Sequence, residues 1–366
     1  MNGAPSQGPI EPSAKEPTRG RVGASTGEAG TAAGVLTVTA NPAVDKTYFV
    51  ERFEKGAMTR VGLVRDMPGG KGINVSRVLH TLGYPVLATG FLGGKNGEWI
   101  ESRLIEGGLS CDFVQGLGET RTTLAIVEEK SGQVTELLEA GPAVDSAKAN
   151  ELLAKVESLA KNKRFVTLSG SLPKGLPTDY YAQLVERVQR QGALACIDTS
   201  GEALRLAMAA KPYLVKVNHV EFAELIGKSA ERPIQVNQES VRESGETPAG
   251  ESDDVKWMRQ LEKFRENTCE VLIVTRGVEG SYACDESGVW HVSTPKVNTV
   301  NAVGSGDAFL AGLVGGFLDG PSLPQALSQA SAAGASNAAK QGAGLVDVKE
   351  VLELRQQVHV RRLSQD

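Results

Sequence analysis

The chain has 366 residues, 40% of them hydrophobic and 23% charged, the make-up of an ordinary globular protein with one large domain or two modest ones. A net charge of -5 and 5% aromatic residues argue against broad nucleic-acid or membrane-surface binding and against base-stacking platforms. The four cysteines (Cys111, Cys196, Cys269, Cys284) form no CxxC pair and the four histidines are dispersed, which excludes a disulfide framework and a zinc site; with no spanning apolar run and no signal peptide, the expected compartment is a reducing cytoplasm.

Residues 1–34 are small and polar and read as a disordered tail. They contain Gly23-Ala24-Ser25-Thr26-Gly27, a formal G-x-S-x-G match with no strand before it and no helix after it, so no nucleophile is assigned there. Order begins with a strand at Val35–Ala40 that ends on Asn41-Pro42-Ala43-Val44-Asp45. Short strands follow at 47–50 and 61–64, then a Gly69-Gly70-Lys71-Gly72 turn and a helix over 73–82. A strand at 86–91 and a helix over 97–106 lead to a hairpin across 122–138, turned at Ser131-Gly132. Strands at Phe165–Ser169, Leu194–Asp198, Leu214–Val217 and Val271–Thr275 then alternate with helices, the signature of a parallel sheet covered on both faces. A polar segment at 228–256 reads as a long exposed loop, and the last third as helices over 306–318, 323–341 and 348–358.

In such sheets ligands sit outside the carboxyl ends of the strands. Polar residues recur at those ends: Asn41 and Asp45, Ser169-Gly170-Ser171, Asp198, Lys216 and Asn218, and Thr275-Arg276-Gly277. The stretch Asn301-Ala302-Val303-Gly304-Ser305-Gly306-Asp307 couples a glycine-rich turn to a helix start, so backbone amides and the helix dipole offer an anion site. Asp307 stands beside it as either a base for an attacking hydroxyl or an ordinary helix-start acid. Lys71 fits a phosphate ligand or an exposed lysine in a tight turn, and Arg121 a phosphate fork or a solvated strand-start arginine. Asn218 and Glu221 fit water-mediated Mg²⁺ ligation or a helix capping box. No Walker A loop, dinucleotide fingerprint or protein-kinase signature is present.

Taken together, Gly69–Asn74, Ser169-Gly170-Ser171-Leu172-Pro173, Asn218-x-x-Glu221 and Gly304-Ser305-Gly306-Asp307 resemble the PfkB/ribokinase family of sugar kinases, in the expected order over residues 35–358. Asn41–Asp45, Gly118–Arg121 and Glu139–Pro142 look like its hexose-phosphate branch, which includes 1-phosphofructokinase and tagatose-6-phosphate kinase. The resemblance implies a ribokinase-like three-layer α/β/α sandwich with a mostly parallel central sheet. It also implies a small β lid from about 47–64 and 122–138, with 228–256 as an insertion and 359–366 as a C-terminal tail. By the same resemblance Asp307 is the base and the amides of Gly304, Ser305 and Gly306 are the anion hole. Asp45, Gly70 and Asn74 bind the sugar, and Lys71 and Arg121 bind phosphate with Ser169 nearby. Lys216, Asn218, Thr275 and Gly277 contact ATP, Asn337 lies near its adenine, and Glu221 organises Mg²⁺ through water.

The implied reaction is ATP-dependent phosphorylation of a ketohexose monophosphate, with fructose 1-phosphate ahead of tagatose 6-phosphate because Gly72–Arg77 looks closer to the former. The implied partners are the sugar phosphate, ATP and a second copy meeting through the lid, with no nucleic acid and no membrane. Two departures stand out: Ser305 where the family usually has Ala, and Ala302 where a Thr is usual. A catalytically silent sugar-phosphate regulator is disfavoured by the intact Asp307 and glycine turn.

Overall fold

The structure, a computed structural model, describes residues 34–116, 118–227, 253–320 and 322–364. The N-terminal half contains β1 (Gly34–Thr39), β2 (Ala43–Val50), β3 (Leu63–Gly69), α1 (Lys71–Thr81), β4 (Val86–Leu92) and α2 (Gly94–Glu106). Two short strands, β5 (Ser110–Cys111) and β6 (Val114–Gln115), precede the hairpin of β7 (Arg121–Glu128) and β8 (Val134–Leu138). Next come α3 (Ser146–Ala160), β9 (Lys163–Ser169), α4 (Tyr180–Arg190), β10 (Leu194–Asp198), α5 (Gly201–Ala209), β11 (Leu214–Asn218) and α6 (His219–Leu225). The C-terminal part holds α7 (Asp253–Arg265), β12 (Val271–Thr275), β13 (Ser281–Asp285), β14 (Gly288–Val292), α8 (Ser305–Asp319), α9 (Leu323–Ala338), α10 (Val348–Arg355) and β15 (Val360–Arg362).

The large sheet runs β15-β14-β13-β12-β11-β10-β9-β1-β4-β5, with β6 also on β4. Strands β12 to β4 along this order are parallel, and β13, β14 and β15 are antiparallel additions at one edge. Parallel strands covered on both faces must be apolar on both, which explains the uninterrupted burial of β1 and of Phe165–Ser169. Helices α3, α4 and α5 pack on one face around Leu152, Tyr180, Leu184 and Leu204; α1, α8, α9 and α10 pack on the other around Leu79, Leu310, Leu313 and Leu327. This is the ribokinase-like α/β sandwich. A separate four-stranded sheet, β3-β2-β7-β8, pairs β2 parallel to β7 and stands over the carboxyl ends of the large sheet's strands.

Several boundaries differ from the sequence expectation. The hairpin of β13 and β14 lies where no strands were expected, and Val360–Arg362, read as tail, closes the sheet edge on β14. Both are antiparallel edge pairings whose partners lie far away or whose runs are too short for a periodic signal. Residues 253–256, read as loop, form the first turn of α7. Strand β3 runs to Gly69 rather than ending at 64, because it pairs with β2 back to Ala43. The tail reading at 1–33 and the loop reading at 228–252 lie outside the described residues, as does the Gly23–Gly27 match.

Helix α8 approaches α9 closely because its facing residues lack side chains: a Cβ at Gly316 would lie 2.6 Å from the Ala326 Cα. Gly316→Val is therefore expected to overpack this seam and destabilise the fold by about 1–3 kcal/mol, read as a lower urea midpoint. An unchanged midpoint would mean the two helices are free to separate.

Candidate active site

Strand and helix ends converge on a cavity of about 810 Å³ between the small sheet and the large one. One end of its wall includes Asp45, Thr123, Arg121, Gly70, Lys71 and Asn74; its other end includes Lys216, Asn218, Thr275 and Gly277. Between them lies the turn Ala302–Gly306 and Asp307. So the structure brings thirteen of the sixteen residues proposed from the sequence onto this cavity; Ser169, Glu221 and Asn337 do not line it.

Gly304 has φ 80, a left-handed conformation, and a Cβ there would meet Ala343 Cβ at 2.6 Å, so glycine is required twice over. Helix α8 starts at once. Its first internal bond is Ala308 N–H to Gly304 O, which leaves the Gly306 and Asp307 amides ahead of the ladder. The Ser305 amide instead turns back to Ala302 O at 3.2 Å. Of the expected donors the Ser305 amide is thus engaged, while the Gly306 amide, joined by that of Asp307, stays free of helix bonds with the helix dipole behind it.

Asp307 is buried, and its Oδ2 accepts from Asn74 Nδ2 at 2.9 Å. Burial raises its pKa to about 7, helped by the negative charge of Asp198 and opposed by Lys71, the Asn74 bond and Lys216. A carboxylate held there is poised to gain a proton near neutral pH. The other amide atom of Asn74, Oδ1, is buried with no protein partner, and a sugar hydroxyl entering the cavity would satisfy it.

Asp45 takes a hydrogen bond from Thr123 Oγ1 at 2.6 Å, and burial holds its pKa above the usual value. Arg121 donates from Nε and Nη2 to Asn41 O and from Nη1 to Glu139 O, so main-chain carbonyls aim the guanidinium while it keeps further N–H groups for an anion. Arg77 donates to Ala343 O at 3.0 Å, tying α1 to the loop that backs Gly304.

Two expectations are corrected by burial and hydrogen bonding, and a third residue turns out to have a structural role as well. Asn337 is fully buried: it donates to Val303 O and Ser305 Oγ and accepts from Leu345 N, so it latches the anion turn rather than reaching adenine. Ser169 is also fully buried, off the cavity wall, with its Oγ unpartnered. Glu221 Oε2 accepts the Asn218 amide while Asn218 Oδ1 accepts from Val220 and Glu221, a complete capping box. The charge of Glu221 still acts on Lys71. Among the described residues no group of three or more His, Cys, Asp or Glu could cage a metal. A Mg²⁺ ion here would rest on phosphate oxygens and water, with Glu221 at most an outer partner.

The residue that sequence reasoning left out is Asp198. It ends β10 fully buried, accepts from Lys71 Nζ at 2.8 Å and from Lys216 Nζ at 2.7 Å, and so joins the two ends of the cavity. Its place at a strand end was visible; the pairing with residues 127 and 18 positions away was not.

A helix-start anion site, a proton-accepting carboxylate and paired cations over the carboxyl ends of a parallel sheet define a phosphoryl-transfer enzyme. The model of the pfkB family carbohydrate kinases matches residues 38–349, and the chain belongs to that family of sugar kinases. It is similar to phosphofructokinase-2 from Escherichia coli in complex with potassium, at 25% identity and a TM-score of 0.78 over 89% of this chain and 99% of that one. It is also similar to a possible 1-phosphofructokinase from Thermotoga maritima, at 26% identity and 0.73 over 90% and 99%. Ribokinase of Arabidopsis thaliana complexed with ribose and ATP shares the fold at 19% identity and 0.66 over 88% and 99%.

Because the folded pKa of Asp307 lies above its ordinary 3.8, folding takes up a proton there, and its ionisation opposes folding increasingly from about pH 4 to about pH 7. Asp307→Asn is thus expected to gain stability relative to the parent as pH rises through that window and to level off above it. The gain at pH 8 is on the order of a few kcal/mol. Urea unfolding at pH 5 and pH 8 checks this; an equal effect at both would place the carboxylate in a solvated setting.

Proposed function

We propose that this sugar kinase transfers the γ-phosphoryl group of Mg·ATP to a ketohexose monophosphate, with fructose 1-phosphate as the preferred acceptor and a ketohexose 1,6-bisphosphate as product. The observation that carries the reading is Asp307: a buried carboxylate, oriented by Asn74, at the start of a 15-residue helix whose leading amides open onto the same cavity. The sugar sits against Asp45, Gly70 and Asn74, where the open Oδ1 of Asn74 meets a hydroxyl. Lys71 and Arg121 suit a substrate that already carries phosphate, since two cations beside a neutral sugar would be poorly matched. The run Gly72–Arg77 favours fructose 1-phosphate over tagatose 6-phosphate.

ATP lies along Lys216, Asn218, Thr275 and Gly277, its triphosphate directed at the Gly306 and Asp307 amides. Glu221 would organise Mg²⁺ through water, and the ion would supply neutralisation of the phosphate charge. The acceptor hydroxyl gives its proton to Asp307 and its oxygen attacks the γ-phosphorus. The bond to the bridging oxygen breaks, ADP leaves, and Asp307 returns the proton to solvent. Neither Ser305 nor Ala302 touches this base. We expect a second copy to cover the small sheet, where Leu63, Val64 and Leu137 are exposed off the cavity wall. The described cysteines are unpaired, as suits a reducing cytoplasm.

A coupled ADP-release assay with fructose 1-phosphate, tagatose 6-phosphate, fructose 6-phosphate and fructose is expected to single out the first by about a hundredfold in kcat/KM. Silence with all four would sink the sugar-phosphate reading, and a different winner would move the phosphate position. Asp307→Asn should lose at least about 10³-fold in kcat while binding nucleotide almost normally; near-parental turnover would remove Asp307 as the base.

A further inference from the structure

We propose that Asp198 is a positioning residue for phosphoryl transfer: one buried carboxylate that fixes the ammonium groups of Lys71 and Lys216 on either side of the α8 anion site and sets the electrostatic setting of Asp307. The inference rests on the reading of Asp307 as the base.

The geometry is one oxygen to each lysine. Asp198 Oδ1 holds Lys71 from the start of α1, and Oδ2 holds Lys216 from β11. Both lysines line the cavity, Lys71 with the sugar-side residues and Lys216 with the nucleotide-side ones, so the rigid carboxylate sets the spacing of two otherwise flexible cations. Each ammonium spends one N–H on Asp198 and keeps two. Lys216 Nζ lies against the first turn of α8, since a Cβ on Gly306 would come within 2.9 Å of it. The phosphoryl group travelling from nucleotide to sugar passes between these cations.

Charge makes the arrangement more than a tether. Lys216 is only 4% exposed, and the carboxylate that meets its charge there is Asp198. Burial by itself would push Asp198 up, but Lys216 and Lys71 outweigh it and hold the carboxyl below its usual range, so Asp198 stays ionised. The groups that act on Asp307 are Asp198 from β10, Lys71 and Asn74 from α1, and Lys216 from β11, while Glu221 from α6 bears on Lys71. Two ammonium groups thus face two carboxylates. When Asp307 accepts the hydroxyl proton it becomes neutral, and the cluster gains one net positive charge just as the transferred phosphoryl group needs it.

The test compares pH profiles of kcat/KM for the parent, Asp198→Asn and Lys216→Met, using Mg·ATP and the best acceptor of the panel above. The substrate phosphates titrate identically in all three, so any displacement between profiles belongs to the enzyme. Asp198→Asn removes a negative charge from beside Asp307; its acid limb is expected to move down by about one pH unit, with kcat lower by about a hundredfold or more. Lys216→Met removes a cation, and its limb is expected to move up. A residue with only a structural role would lower activity without displacing either limb, so two unmoved limbs overturn the proposal. If Asp198→Asn does not fold, the Lys216→Met limb decides: upward supports, unmoved overturns. Asp307→Asn measured alongside separates the two readings. Retained turnover there removes the base and this inference with it, whereas loss of turnover there with unmoved limbs removes only the role of Asp198.

Discussion

Burying opposite charges together is the constraint on which the centre of this enzyme depends. Four ionisable groups, Asp198, Asp307, Lys71 and Lys216, meet where β10, β11 and the starts of α1 and α8 converge. Any one of them alone in that setting would be neutralised or driven out. Held together, Lys71 and Asp198 are each shifted toward their charged form, while Asp307 is left near its titration point. That difference separates a structural ion pair from a proton acceptor, and it comes from the asymmetry of the cluster: Asp198 bonds to both cations, whereas the bond recorded to the Asp307 carboxylate is the one from Asn74.

The scaffold serves this cluster through short-range precision. The α8–α9 seam is close because small residues face each other, and that fixes where the first turn of α8 points. Asn337 on α9 then holds Val303 and Ser305 from behind, and Arg77 on α1 holds Ala343 behind Gly304. The anion turn is therefore clamped from two helices before any ligand arrives, which lowers the reorganisation required at the moment of reaction. The small sheet contributes the opposite property. Its cavity-facing residues mix apolar ones, such as Val127 and Leu138, with polar ones, such as Asp45, Thr47, Thr123 and Glu136, and most are partly open, so it forms an open wall rather than a clamp.

Much of the site was legible in the sequence because it is built from local signals. A glycine turn with an acid at the helix start, a strand ending in Lys-Val-Asn, and a Gly-Gly-Lys-Gly loop each carry their chemistry within a few residues. Where two readings were open, tertiary contacts chose. Asn218 and Glu221 form the capping box, the simpler of the two readings for that pair. Asn337 looked available to a base, yet all its bonds are spent within the protein. Asp198 looked like one polar strand end among several, and nothing near it in the chain announces two lysine partners. The edge strands failed for a related reason: β15 has three residues, and its sheet partner, β14, lies about seventy residues earlier in the chain.

By itself the sequence determined the family, the α/β class and where along the chain the strands of the parallel sheet fall, and it singled out Asp307 beside a glycine turn at a helix start, because periodicity, turn chemistry and short motifs are local properties that survive without coordinates. Only the tertiary structure decided which cation meets which carboxylate, which amides remain free at the start of α8 and how far burial lifts Asp307. Those quantities depend on distance and desolvation between residues up to 233 positions apart in the chain, and no window along the chain contains them.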